Sequence, residues 1–96
     1  MATLSTDEIQ QRLRSLHGWK LVKGEIVREA VFRDFAGAMS FVNQVAAEAE
    51  DAGHHPDIDI RYNKVRLGLV SHDAGGLTVR DFNLASAIEA IIASSV

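Results

Sequence analysis

The sequence predicts an α+β domain: a four-stranded antiparallel sheet with three helices packed on one face, in the order α-β-β-α-β-β-α. Three observations carry that expectation. Apolar residues recur at helical spacing in three segments, each opened by a capping signal. Two pairs of β-prone runs separate those segments, each pair broken by a short polar turn. No repeat, linker or low-complexity tract interrupts the 96 residues, so one domain over residues 1–96 is expected.

The first helix is read from "LSTDEIQQRLRSLHG". Ser5 and Glu8 have the spacing of a capping box, and Leu4 and Ile9 that of a hydrophobic staple. Ile9, Leu13 and Leu16 form the apolar stripe, and Gly18 is expected to end the helix. In "WKLVKGEIVREAVF", Lys23-Gly24 breaks two β-prone runs as a hairpin turn, so Leu21 should face Ile26 and Trp19 should face Arg28. Trp19 reads as a core aromatic. Asp34 caps the second helix, whose expected apolar face is Phe35, Ala38, Met39, Val42, Val45, Ala46 and Ala49. Its last turn carries Glu48, Glu50 and Asp51, the wrong sign for the helix dipole, which hints at a functional reason.

After Pro56, Ile58, Ile60 and Tyr62 alternate with Asp57, Asp59 and Arg61, as in a half-buried strand. Asn63-Lys64 is the expected turn, with Val65, Leu67 and Leu69 on the return strand. The third helix opens at the Thr78–Asp81 capping pattern and turns Leu84, Ala85, Ile88, Ile91 and Ile92 to the core.

Composition narrows the functions. The apolar fraction of 47% and charged fraction of 24% are those of an ordinary globular protein. A formal charge of -3 with scattered basic residues gives no footprint for direct nucleic-acid binding. No cysteine is present, which removes disulfides, thiolate zinc sites and a cysteine nucleophile, and fits a reducing compartment. No signal peptide or membrane-spanning run is recognisable, so a cytoplasmic protein without membrane contact is expected.

The chemistry gathers around "DAGHHPDI". If Tyr62 pairs with Val65, then Ile60 faces Leu67, Ile58 faces Leu69, and His55 falls opposite His72, with Cβ atoms roughly 4.5–5.5 Å apart. His54, His55 and His72, three of the chain's four histidines, would meet at one end of the sheet. Glu50 in the last helical turn and Asp81 at the start of the third helix could join them. Three imidazoles and two carboxylates have the composition of an acid–base site. Each piece alone has a plainer reading: Asp81 as a cap, Glu50 as a solvated helix residue, His54-His55 as a polar turn, His17 as helix-end trim. Three histidines could instead bind zinc, but no H-x-x-x-H spacing is present, and adjacent His54 and His55 point opposite ways on a regular strand. Ser71 beside His72 lacks a nucleophile elbow, and "DAGGLT" lacks the lysine of a phosphate loop.

Glu50, His54-His55-Pro56, Tyr62, His72 and Asp81 follow the pattern E-x-x-x-H-H-P, five residues, Tyr, nine residues, His, eight residues, Asp. With "YNKV", "GLT", "NLA" and the early Trp19, this resembles the pterin-4a-carbinolamine dehydratases, also known as dimerization cofactors of a homeodomain transcription factor. The resemblance covers nearly the whole chain. It implies a lyase without metal or cofactor that dehydrates a 4a-hydroxytetrahydropterin, such as 4a-hydroxytetrahydrobiopterin, to the quinonoid dihydropterin. It further implies His54 and His72 as the acid–base pair, His55 holding the pterin, and Glu50 and Asp81 orienting the imidazoles. Pro56 and Ile58 would line the pterin site; animal members have tryptophan where this chain has Ile58, so stacking there is lost. A homodimer or homotetramer is implied, and a partner-binding or assembly role without turnover is the alternative.

Overall fold

The computed structural model describes residues 2–94. Its elements are α1 (Thr6–Leu13), β1 (Trp19–Val22), β2 (Glu25–Val31), α2 (Phe35–Ala52), β3 (Asp57–Arg61), β4 (Lys64–Leu69), a short 3-10 turn (His72–Ala74) and α3 (Val79–Ser94). The strands form one antiparallel sheet in the order β1-β2-β4-β3. Trp19, Ile26, Val65, Leu67 and Leu69 from the sheet pack against Phe41, Val42 and Val45 of α2 and Leu84, Ala85 and Ile88 of α3. The three helices thus lie on one face, as expected.

The capping box of α1 is complete: Ser5 Oγ accepts the Glu8 N–H at 3.2 Å, and Glu8 Oε1 accepts the Ser5 N–H at 2.9 Å. The helix stops at Leu13, short of the expected Gly18. Residues 14–18 instead make a turn in which the Leu16 N–H bonds the Leu13 carbonyl and the Trp19 N–H bonds the Leu16 carbonyl. Leu16 still reaches the core from that turn. Gly18, at φ +89°, swings the chain into β1, where a Cβ would stand 2.8 Å from Arg28 Nε. That guanidinium and the Trp19 indole both donate to Glu89 Oε1, at 2.7 Å each.

The first hairpin has the register read from sequence, Trp19 opposite Arg28 and Leu21 opposite Ile26, and Lys23 and Gly24 both take positive φ in its loop. In α2, Asp34 Oδ1 caps the Gly37 N–H at 2.8 Å. Ala38, Val42, Val45 and Ala49 are buried as expected. Phe41, absent from the predicted face, is buried and packs on Phe32 at 4.7 Å between ring centroids. Phe35 is 51% exposed and Ala46 is exposed, so neither belongs to the core. In α3, Phe82 is buried alongside Leu84, Ala85 and Ile88, while Ile91 and Ile92 are only partly covered.

The second hairpin departs from the expected register by two residues. Arg61 pairs with Lys64, Ile60 with Val65, Ile58 with Leu67 and Asp57 with Gly68. Its loop is Tyr62-Asn63, with Tyr62 at φ +53° and 65% exposed. Asn63 fixes this arrangement from outside the hairpin: its Nδ2 donates to the Phe32 carbonyl at 2.9 Å, and its own carbonyl accepts the Phe32 N–H at 2.8 Å. A two-residue slide keeps the same side chains on the same face. Apolar alternation therefore fits either register, and the contacts with β2 decide.

Candidate active site

His54 is delivered by the way α2 ends. Gly53 takes φ +62°, its N–H bonds the Glu50 carbonyl at 3.2 Å, and the His54 N–H bonds the Ala49 carbonyl at 3.1 Å. These are the paired backbone bonds of a Schellman ending, which favours glycine at the left-handed residue. Gly53→Ala should cost about 1 kcal/mol through that backbone conformation alone, since no atom stands within 4 Å of the new Cβ. Urea denaturation of the two proteins measures it.

The ending turns His54 inward, 8% exposed, onto Asp81 of α3. His54 Nε2 lies 2.6 Å from Asp81 Oδ1. Asp81 is fully buried, and its Oδ2 accepts two further bonds at 2.9 Å, from Ser71 Oγ and from the Thr78 N–H. The Thr78–Asp81 pattern therefore does cap α3 through the Asp81 side chain, and the same carboxylate also holds a histidine. A carboxylate accepts only, so a carboxylate at Asp81 calls for a proton on His54 Nε2 and leaves Nδ1 as the ring atom outside this bond.

His72 directly follows the buried Ser71 and opens the exposed 3-10 turn. The turn is closed by the Ser71 carbonyl, which accepts the Ala74, Gly75 and Gly76 N–H groups. Arg80 ties it to α3 through a 2.6 Å bond from Nη2 to Asp73 Oδ1. The Arg80 guanidinium holds the Asp73 carboxyl below its ordinary 3.8. A carboxyl lowered on folding stabilises the fold above its unfolded value and loses that contribution as pH falls through the folded one. The turn should keep its neutral-pH form down to roughly pH 4 and loosen only below it. Amide chemical shifts of Ala74 and Gly75 followed through an acid titration check this, and Asp73→Asn should abolish the step.

His55 and Glu50 form a second, exposed pair, with Nε2 and Oε2 2.5 Å apart. This gives Glu50 a partner and accounts for one of the three carboxylates set against the α2 dipole. Pro56 is half-buried, and Ile58 is 38% exposed on β3.

The expected pairing of His55 with His72 does not occur. The β3–β4 ladder ends at Asp57–Gly68, so both histidines lie beyond it. The groups are joined differently: Asp81 links His54 to Ser71, and Ser71 leads into His72. Among the described residues, no three His, Asp or Glu side chains are grouped to hold a metal ion, and no helix is long and apolar enough to cross a membrane. A concavity of about 240 Å³ adjoins His54 between α2 and α3, lined also by Glu48, Arg80 and Asn83. A larger one of about 540 Å³, along residues 28–33 and Ile92, lies away from the histidines.

Sequence reasoning weighed the Ser71 hydroxyl only as a nucleophile and set it aside, and did not single out Arg80. Ser71 left no signal beyond its place next to His72. Arg80 left one: a cation in the first turn of a helix opposes the dipole, and Asp73 supplies the reason.

A buried carboxylate–imidazole pair on an α-β-β-α-β-β-α sheet domain, with two further histidines nearby in the chain, defines a candidate acid–base site. The family model for pterin 4 alpha carbinolamine dehydratase matches residues 2–91, and the chain belongs to that family. A relative from Acidobacterium capsulatum is 63% identical over 96% of this chain and 100% of its own, and one from Chloroflexus aurantiacus is 54% identical over 96% and 99%. Both are provisionally named pterin-4-alpha-carbinolamine dehydratase. A crystal structure from Brucella melitensis, described as a transcriptional coactivator/pterin dehydratase, superposes with a TM-score of 0.89 at 36% identity over 93% of this chain and 97% of that one. A pterin dehydratase-like RuBisCO assembly factor of the alpha-carboxysome shares the fold, with a TM-score of 0.66 at 23% identity over 78% of this chain and 89% of that one.

Proposed function

We propose that this chain, as one domain over residues 1–96, dehydrates 4a-hydroxytetrahydropterins to quinonoid dihydropterins by histidine acid–base catalysis, in recycling of the tetrahydropterin cofactor. The observation that carries the reading is the 2.6 Å bond between His54 Nε2 and the fully buried Asp81, because it commits one ring nitrogen and leaves the other for proton transfer. The reaction needs two proton movements. The 4a-hydroxyl leaves as water when an acid protonates it, and the ring nitrogen bonded to that carbon gives up its proton as the carbon–nitrogen double bond forms. One imidazole donates and the other accepts, so no net proton stays on the protein.

In this reading His54 and His72 are the acid–base pair. His55, oriented by Glu50, holds the pterin, with Pro56 and Ile58 as its apolar wall, and Asp81 orients His54. No cofactor or metal is required by this chemistry. 4a-Hydroxytetrahydrobiopterin is the specific substrate proposed, a homodimer or homotetramer the assembly, and the cytoplasm the location, which the absence of cysteine fits. Stopped-flow absorbance with freshly generated 4a-hydroxytetrahydrobiopterin tests it: the protein should raise dehydration well above the buffer rate, and a chelator should leave that rate unchanged.

A second reading, partner binding or assembly without turnover, is supported by the coactivator description of the Brucella melitensis protein and by exposed Val31 and Phe35. A partner captured equally well by the chain and by its triple histidine-to-alanine variant, with no dehydration above buffer, would favour it.

A further inference from the structure

We infer that Ser71 and Thr78 are positioning residues: a one-way chain of hydroxyl hydrogen bonds that fixes which nitrogen of His54 carries the proton. This rests on the dehydratase reading for its kinetic consequence, though not for its geometry. Ser71, Thr78 and Asp81 are each 0% exposed. The Arg80 N–H donates to Thr78 Oγ1 at 3.2 Å, Thr78 Oγ1 and Ser71 Oγ are 2.8 Å apart, and Ser71 Oγ donates to Asp81 Oδ2 at 2.9 Å.

Proton counting sets the direction. Ser71 has one hydroxyl proton and gives it to the carboxylate, so Thr78 must donate its own to Ser71. Every bond in the chain then points toward Asp81, and each polarises the next. The Thr78 N–H fills the other site on Oδ2, at 2.9 Å. A proton on the Asp81 carboxyl could sit only on Oδ1, where it would displace the proton of His54. Each donated bond stabilises the carboxylate as the anion, so Oδ1 stays a bare acceptor and the His54 ring keeps its Nε2–H tautomer; losing a donor makes a proton on Oδ1, and with it the Nδ1–H form, easier to reach.

A helix cap alone does not require this. Thr78 and Asp81 could start α3 with the carboxylate in water, and Ser71 lies outside the helix. The backbone of Ser71 also closes the turn that begins at His72. One residue therefore acts on both proposed acid–base histidines, on His54 through its hydroxyl and on His72 through its carbonyl.

The test compares Ser71→Ala, Ser71→Thr and Thr78→Val with the unmodified protein. Long-range ¹H–¹⁵N NMR of the imidazoles reads the tautomer without reference to activity. The unmodified protein and Ser71→Thr should show His54 as the Nε2–H form, and Ser71→Ala and Thr78→Val a mixture with Nδ1–H. In the dehydration assay, kcat should fall about 10- to 100-fold in the two hydroxyl-deleting variants, with KM within about twofold, and Ser71→Thr should recover most of it. If Ser71→Ala does not fold, Thr78→Val, which leaves Ser71 in place, carries the same test. An unchanged tautomer in a folded hydroxyl-deleting variant overturns the inference, as does Ser71→Thr impaired as badly as Ser71→Ala. An unmodified protein without dehydratase activity whose tautomer still shifts in the variants sinks the proposed function and upholds the positioning chain.

Discussion

Asp81→Asn should leave a folded protein with most of its dehydration rate gone, a fall in kcat of about 10²- to 10⁴-fold. Asparagine has the shape of aspartate, so the packing around a fully buried position survives. Its hydrogen-bonding pattern does not. The Ser71 hydroxyl and the Thr78 N–H need an acceptor, so the amide oxygen must face them. The amide NH₂ is then left against His54 Nε2, which can meet it only as an acceptor. The ring proton moves to Nδ1, and the nitrogen proposed to exchange protons with substrate carries the wrong occupancy. Asp81→Ala differs, because it leaves the Ser71 hydroxyl, the Thr78 N–H and the His54 ring without their partner, at a cost of about 3–5 kcal/mol. Circular dichroism with urea unfolding, set beside steady-state kinetics, separates the two. A kcat for Asp81→Asn within threefold of the unmodified protein would contradict the role given to this pair.

The second large effect is structural. Phe41→Ala should destabilise the domain by about 3–5 kcal/mol, whereas Phe35→Ala should change stability by no more than about 0.5 kcal/mol. Phe41 is 1% exposed, within the core formed with Val65, Leu67 and Leu69, and loses its contact with Phe32 when truncated. Phe35 sits six residues earlier on the same helix and is half exposed. Since domains are held by about 5–15 kcal/mol in all, the first change takes a large share of the total. Paired thermal melts give the contrast directly, and equal melting temperatures for the two variants would show the burial of α2 to be misassigned.

Those two phenylalanines also show where sequence reasoning reaches its limit. Helical spacing located α2 and both its caps, because Asp34 and Gly53 act through local backbone chemistry. Which edge of a broad apolar stripe enters the core depends on what it packs against, and Phe32 is outside the helix. The hairpins divide the same way. Lys23-Gly24 specifies its own turn, so Trp19 opposite Arg28 was legible. Asn63 takes its position from bonds to Phe32, the residue after β2, and the alternation in β3 and β4 is blind to a slide of two residues. The register read from sequence set His55 opposite His72, a strand pairing the structure does not contain. His54, His55, His72, Glu50 and Asp81 were all legible as a motif, but the pairing of His54 with Asp81 and of His55 with Glu50 was not. Ser71 was legible only as a neighbour of His72, because the direction of a side chain in a non-repeating turn follows from bonds that only the folded loop contains.

His54 and His72 are the residues proposed to move the protons of a pterin dehydration. The most direct measurement is the rate of loss of freshly generated 4a-hydroxytetrahydrobiopterin with the unmodified protein and with His54→Ala/His72→Ala, at matched concentration and with both shown to be folded. Acceleration well above buffer is expected for the first, and a rate at least about 10²-fold lower, close to buffer, for the second. Equal rates for the two proteins would contradict it.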